Sequence, residues 1–241
     1  MIEVKDFHKS FGKKMVHKGV SFYVKNGECL GLIGGSGVGK SVILRSMIGL
    51  DKPDHGQIEI DKVDITKLSE SELLELRKQV AYIFQGGALF DSMTIFENLA
   101  YPLREHTKLS QKEIAEKITA QLKQFGLEGN ENIFPGQLSG GMQKRVGVAR
   151  AMMMNPRVVL YDEPTAGLDP FNTKKIQELI LSLKSTGVTS ILVTHDMPTA
   201  FAVCDKLAFL VNGRIEAQGT MDQILAESNP LITKFINGEA A

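Results

Sequence analysis

The chain has almost no net charge, few cysteines and no long apolar run, and each shortage narrows the field. Its 28 Lys+Arg balance 28 Asp+Glu across 241 residues, without an extended like-charge block, so the broad basic footprint of a nucleic-acid binder is missing. No stretch of 18 consecutive apolar residues occurs, and the opening Met1-Ile2-Glu3-Val4-Lys5-Asp6 carries acids where a secretion signal needs an apolar core. The expectation is a cytoplasmic protein that reaches a membrane only through a partner. Cys29 and Cys204 are the only two cysteines, far apart in sequence and without C-x-x-C spacing, and read as buried thiols in a reducing compartment. Internal repeats, low-complexity tracts and Pro/Gly/Ser linkers are also missing. With 43% hydrophobic residues the chain has ample material for one large domain with a subdomain.

The most informative stretch is Gly34-Gly35-Ser36-Gly37-Val38-Gly39-Lys40-Ser41, which fits G-x-x-x-x-G-K-[ST]. A strand-length apolar run, Cys29 to Ile33, precedes it, and Val42 to Ile48 follows as a buried helix. Glycines let successive N–H groups point inward, and the helix start adds positive potential, so the loop is a nest for a polyphosphate. Lys40 supplies a mobile charge to the β- and γ-phosphates, and Ser41 a hydroxyl for Mg²⁺.

Around this loop the pattern alternates. Short apolar segments at Ile2-Glu3-Val4, Val20 to Val24 and Leu30 to Ile33, with turns at Gly12 and Asn26-Gly27, predict antiparallel strands leading into the loop. Ser69-x-x-Glu72 and Ser110-x-x-Glu113 are capping boxes that predict helix starts. A strand over Val80 to Phe84 is expected to end at Gln85, and residues 86–150 read as almost wholly helical, a subdomain inserted into a core of residues 1–85 and 151–241. Beyond it, strands at Val158 to Tyr161 and Ser190 to Val193 flank a helix through Ile176, Leu179, Ile180 and Leu183. That order predicts a parallel sheet covered by helices. Asn212-Gly213 marks a hairpin, and Thr220 and Asn229-Pro230 start short closing helices.

Three further groups carry chemistry. Asp162 and Glu163 end a buried strand, where α/β sheets place their ligands; Asp162 suits Mg²⁺ and Glu163 suits polarising a water. His195 and Gln85 end strands in the same way, the first toward a γ-phosphate, the second toward Mg²⁺ and the lytic water. Leu138-Ser139-Gly140-Gly141-Met142 is a second anion-binding helix start in a chain that already has one, which makes most sense if it serves the nucleotide of a second copy, with Ala166-Gly167-Leu168-Asp169 along the seam.

In this order the motifs identify the chain as similar, over essentially its whole length, to the ATPase subunit of ABC transporters. The resemblance implies an α/β P-loop fold with a mixed central sheet, an N-terminal antiparallel β-subdomain and an inserted helical subdomain. It implies ATP and Mg²⁺ bound between two head-to-tail subunits, each loop (Gly34 to Ser41, with Val42 behind it) facing the partner's Ser139, Gly140 and Gly141. Phe11 matches the adenine-stacking aromatic. Met142 stands where glutamine is commonest; because the serine and backbone N–H groups hold the phosphate, activity is expected to survive.

A narrower likeness rests on Phe84 to Phe90, with Asp91 where most importer ATPases carry proline, and on Glu97 to Glu105. These resemble the Mla-type (maintenance of lipid asymmetry) ATPase that works with Mce-domain lipid transporters. That likeness implies phospholipid as cargo, with an integral permease, an Mce-domain protein and a small accessory subunit as partners, on the cytoplasmic face of the inner membrane. The alternatives are an importer of small polar solutes and a regulatory ABC ATPase without cargo. The tandem ATPase units or long insertions of translation and repair members are missing, and no nucleic acid is expected. Longer relatives carry a tail that wraps the partner; this chain stops three residues after Gly238, so no such tail is expected. Phe90, Met93, Phe96 and Leu99 recur at helical spacing and predict a groove for a short permease helix. Met152-Met153-Met154 reads as flexible core filling.

Overall fold

A computed structural model describes residues 1–226 and 230–236. Two sheets divide the strands. The first has the order β2-β1-β4-β5, from β1 (Ile2–Phe11), β2 (Lys14–Val24), β4 (His55–Ile60) and β5 (Val63–Asp64), all antiparallel neighbours. The second runs β10-β9-β3-β8-β7-β6, with β3 (Cys29–Ile33), β6 (Val80–Ile83), β7 (Val158–Asp162), β8 (Thr189–Thr194), β9 (Lys206–Val211) and β10 (Arg214–Gly219). Strands β6, β7, β8, β3 and β9 are parallel, and only β10 turns back. The fold is therefore α/β with a mixed central sheet and a separate antiparallel sheet, as the sequence predicts. Strand β3 is buried at all five positions and β8 at all six, the signature of parallel strands covered on both faces.

The capping boxes form as read. Ser69 starts α2 (Glu70–Arg77) and Ser110 starts α4 (Gln111–Gln124), each with the N3 glutamate returning to the cap backbone. A third, Thr94 with Glu97, starts α3 (Ile95–His106). It overturns the expected run of helical positions from Phe90 to Leu99. Phe90 and Met93 precede the helix in a loop, and the buried Asn98 holds that loop in place. The Asn98 Nδ2 donates to the carbonyls of Phe90, Met93 and Thr94 at 3.0–3.1 Å, and its Oδ1 accepts from the Phe90 N–H at 2.9 Å. Leu99 is fully buried in the core. The segment 86–150 is correspondingly less helical than its composition predicts, with irregular chain at 84–94 and across much of 125–139. The strand before it ends at Ile83, so Phe84 and Gln85 are already in the loop.

Helices α3, α4 and α5 (Gly140–Met152) pack together, and their apolar faces share one core with β7, β8 and α6 (Pro170–Ser185). A second core joins the antiparallel sheet to α1 (Lys40–Met47) and the other face of the central sheet. Met152 and Met153 are buried in the first core, as filling. Cys29 and Cys204, read as separate, meet: their sulfurs lie 3.8 Å apart because α7 (Met197–Val203) ends beside the start of β3. The Cys29 contact and burial hold the Cys204 thiol well above its usual range. Thr220 caps α8 (Met221–Ala226), and α9 (Pro230–Ile236) follows; Asn229 and the residues after Ile236 lie outside the described residues.

Helix α5 approaches the loop after β6 so closely that a Cβ at Gly147 would lie 2.9 Å from the Cα and carbonyl oxygen of Gly87. Gly147→Ala must push helix and loop apart. Urea unfolding should show a loss of about 1–3 kcal/mol; an unchanged midpoint would show that the loop yields freely.

Candidate functional site

The central sheet fixes where the chemistry gathers. β3, β8 and β7 are parallel neighbours, so the loop after β3, Thr194-His195 after β8 and Asp162-Glu163 after β7 emerge at one sheet edge. Gln85, two residues past β6, emerges beside them and is exposed.

The loop is shaped by glycines. Gly37 has φ 75° and Gly39 φ 99°, conformations that side chains resist. Gly39 also has no room: a Cβ there would lie 2.5 Å from Val16 and 2.7 Å from the ring of His17. Gly34 is buried against the Leu210 carbonyl, Gly35 is half-buried, and Ser36 and Gly37 form the exposed tip. Val38 packs on the core, and Val42 anchors α1.

Lys40 is 6% exposed, and its ammonium donates to the carbonyls of Gly34 (2.7 Å) and Gly35 (2.9 Å). Glu163 stands 3.6 Å away. Burial lowers the Lys40 pKa, and Glu163 and Asp162 oppose that shift. Ser41 Oγ donates to Asp162 Oδ1 at 2.7 Å, and the Tyr82 hydroxyl donates to Asp162 Oδ2 at 2.7 Å. Burial foremost, and then this bond to a carboxylate, keep Tyr82 protonated. Glu163 has φ 50°, an unfavourable backbone for glutamate, held by its N–H bond to the Val193 carbonyl at 2.9 Å. His195 Nδ1 lies 3.0 Å from both Glu163 carboxylate oxygens. Lys40, Ser41, Asp162, Glu163 and His195 thus form one connected cluster. Ser41 and Asp162 are hard oxygen donors that suit Mg²⁺, and the glycine loop with its enclosed ammonium suits a polyphosphate.

Other expected residues stand apart. Phe11 ends β1, 46% exposed, with the Lys9 ammonium 5.4 Å from its ring centroid. Ser139 is exposed and caps its own helix through the Met142 N–H at 3.3 Å; Gly140 is exposed too. A Cβ at Gly141 would strike the Asn172 side chain, which Asp169 holds at 2.5 Å. α5 packs on α3, α6 and β6, whereas α1 packs on β7.

Sequence reasoning missed two residues. Tyr82 is marked only by a hydroxyl in an otherwise apolar strand. His17 is fully buried behind Gly39, edge-on to Phe7 at 5.1 Å, with neither ring nitrogen hydrogen-bonded.

A model of the family described as ABC transporter matches residues 17–166. The chain belongs to the ABC transporter family. It is 42% identical over 238 residues to the probable ribonucleotide transport ATP-binding protein mkl of Mycobacterium leprae, covering 98% of this chain and 69% of that one. It is 35% identical over 241 residues to the intermembrane phospholipid transport system ATP-binding protein MlaF of Escherichia coli K12, covering 100% and 90%. Among solved structures, the ATP-binding cassette MJ0796, a dimer in a post-hydrolysis state with ADP and Pi, superposes with a TM-score of 0.84 at 33% identity, covering 92% of this chain and 99% of that one. As a family member the chain is an ABC transporter ATPase, using ATP with Mg²⁺.

His17 gives this cassette an acid limit. Burial lowers its pKa from 6.5 to about 4, against a smaller opposing pull from the Gly39 backbone. Below pH 6.5 the unfolded chain takes up a proton that the folded site refuses, so stability falls as pH drops toward about 4 and levels off beneath it. The full effect is about 3 kcal/mol. Urea unfolding across this window should show the slope, and His17→Leu should remove that contribution; identical slopes would contradict it.

Proposed function

We propose that this chain is the ATP-hydrolysing half of a phospholipid transporter, working as a head-to-tail pair beneath an integral permease. The observation that carries it is the divided site: one chain gathers Lys40, Ser41, Asp162, Glu163 and His195, while Ser139 and Gly140 stand exposed at the start of another helix, followed by the buried Gly141. A second copy supplies what the first leaves open.

In this reading Phe11 stacks on adenine. The loop N–H groups and Lys40 take the phosphates, the ammonium exchanging backbone carbonyls for phosphate oxygens. Ser41, Asp162 and Gln85 hold Mg²⁺, which neutralises charge building on the phosphate oxygens. Glu163 polarises the attacking water, and His195 orients that carboxylate while facing the γ-phosphate. The segment 86–150 acts as a subdomain inserted into the core formed by 1–85 and 151–241.

The permease docks where the first core opens to solvent. Tyr82, Phe90, Tyr101, Pro102, Arg150 and Met154 contribute to a groove of about 390 Å³. Phe90 is 41% exposed, edge-on to Tyr101 at 5.2 Å, with the Arg150 guanidinium 5.3 Å from its ring. Gln85 lies in the same loop as Phe90, so nucleotide-dependent movement has a short path to the groove. Among the described residues no helix is long and apolar enough to cross a membrane, which fits a peripheral subunit on the cytoplasmic face of the inner membrane. The name of the Escherichia coli relative and the Mla-like residues support phospholipid as cargo, with an Mce-domain protein and a small accessory subunit beside the permease. A second reading, import of a polar solute, draws on the ribonucleotide named for the mycobacterial relative.

Glu163→Gln should slow hydrolysis by about 10²- to 10⁴-fold while ATP binding persists, and Lys40→Ala should abolish turnover; phosphate-release assays on the purified complex decide both. Wild-type rates in either variant would sink the assignment. Phe90→Asp should leave nucleotide binding intact and break permease association and lipid transfer between reconstituted vesicles. Normal transfer in that variant would refute the docking site. Ribonucleotide uptake without lipid transfer by the wild-type complex would refute the cargo.

A further inference from the structure

On the antiparallel sheet three side chains converge that the nucleotide site does not use. Asp6 and His8 lie two residues apart on β1, so both project from the face opposite the fully buried Phe7. His55 is the register partner of His8 on the neighbouring β4. One Asp6 oxygen lies 3.0 Å from His8 Nε2, and the other lies 3.2 Å from His55 Nδ1. The two imidazoles meet edge to face at 5.6 Å. All three donor atoms lie within 4.8 Å of one another.

The backbone is built around this cluster. The ladder is irregular between Lys5 and His8 on the β4 side and around Phe7 on the β2 side, and Asp6 sits in that bulge with φ 48°. Glycines accommodate the bulge on both neighbouring strands. At Gly56 a Cβ would strike the Asp6 carbonyl at 2.2 Å. At Gly19 it would stand 2.9 Å from the Asp6 carboxylate oxygen and 3.4 Å from His8 Nε2, so glycine keeps open the space beside two of the donors.

We propose that Asp6, His8 and His55 form a binding site for a divalent metal of the zinc class, clasping β1 to β4. Zn–N and Zn–O bonds near 2.0–2.2 Å put tetrahedral donors about 3.3 Å apart; each imidazole stands near that distance from one oxygen of Asp6, so the carboxylate has only to turn for one oxygen to serve both. Two imidazoles with one carboxylate suit Zn²⁺, with Ni²⁺ or Cu²⁺ as competitors, and not Mg²⁺ or Ca²⁺, which take oxygen donors. The site leaves a position for water or another ligand on the Gly19 side. Nearby charge leaves the cluster available: Lys5 is paired with Glu3 and Glu59, and Asp54 is taken by Lys9 and the Ser10 N–H. Exposed Lys18, opposite His8 on β2, is a cation that the ion must tolerate.

The test is titration of chelator-stripped full chain with ZnCl₂, without nucleotide, followed by calorimetry, and with CoCl₂, followed by visible absorption. Wild type should take up one ion per chain that His8→Ala/His55→Ala loses, and Asp6→Asn should weaken it by about tenfold or more. Asp162→Asn should keep this ion, which separates the clasp from metal bound at the nucleotide site. The double variant should fold and hydrolyse ATP at the wild-type rate, and zinc should raise the melting temperature of wild type only. Equal zinc uptake and equal cobalt spectra in wild type and the double variant would overturn the proposal, leaving a hydrogen-bonded His–Asp–His cluster.

Discussion

The ammonium of Lys40 is enclosed, and an enclosed cation must be satisfied or neutralised. Two backbone carbonyls of its own loop and the nearby Glu163 do this, with Asp162 adding to the field. That requirement explains much of the surrounding construction. The carbonyls face inward only because glycines carry the loop through left-handed backbone, and Glu163 reaches its place only by accepting such a backbone itself. Parallel pairing of β3, β8 and β7 brings the pieces to one edge without any long connection crossing the site.

The same enclosure makes the arrangement ready for exchange. Each anionic or carbonyl partner of Lys40 is one that phosphate oxygens can replace, and Asp162 is already oriented from two sides, by Ser41 and Tyr82. Removing the Asp162 carboxylate would leave two part-buried hydroxyls, of Ser41 and Tyr82, without their acceptor, which is costlier than the bonds' net contribution. By contrast the Ser139 side chain accepts from the Met142 N–H of its own helix and faces solvent. In the proposed shared site, one half holds charge tightly and the other remains available.

Much of this was legible in the sequence because short-range chemistry controls it. The glycine loop, the Ser69 and Ser110 capping boxes, the Asn212-Gly213 hairpin and the acids ending β7 are each written within a few residues. What escaped depends on contacts distant in sequence. Cys29 meets Cys204 only because α7 returns beside β3, and nothing in their spacing says so. Periodicity placed Phe90 and Met93 on a helix, yet Thr94 with Glu97 starts that helix later and the Asn98 side chain secures the loop before it. Tyr82 and His17 matter through Asp162 and Gly39, more than 20 residues away in each case. A pattern that counts apolar positions cannot see either partner.

The central claim is that two chains share each nucleotide, and complementation tests it most directly. A Lys40→Ala chain has a defective loop and a sound Ser139 helix; a Ser139→Arg chain has the reverse. Alone, neither should retain MgATP in an occluded dimer. Mixed, each heterodimer should contain one intact composite site and trap one nucleotide, measured by retained radiolabelled ATP on dimers isolated by size exclusion. Trapping by the Ser139→Arg chain alone, or no gain on mixing two folded chains, would contradict the shared site.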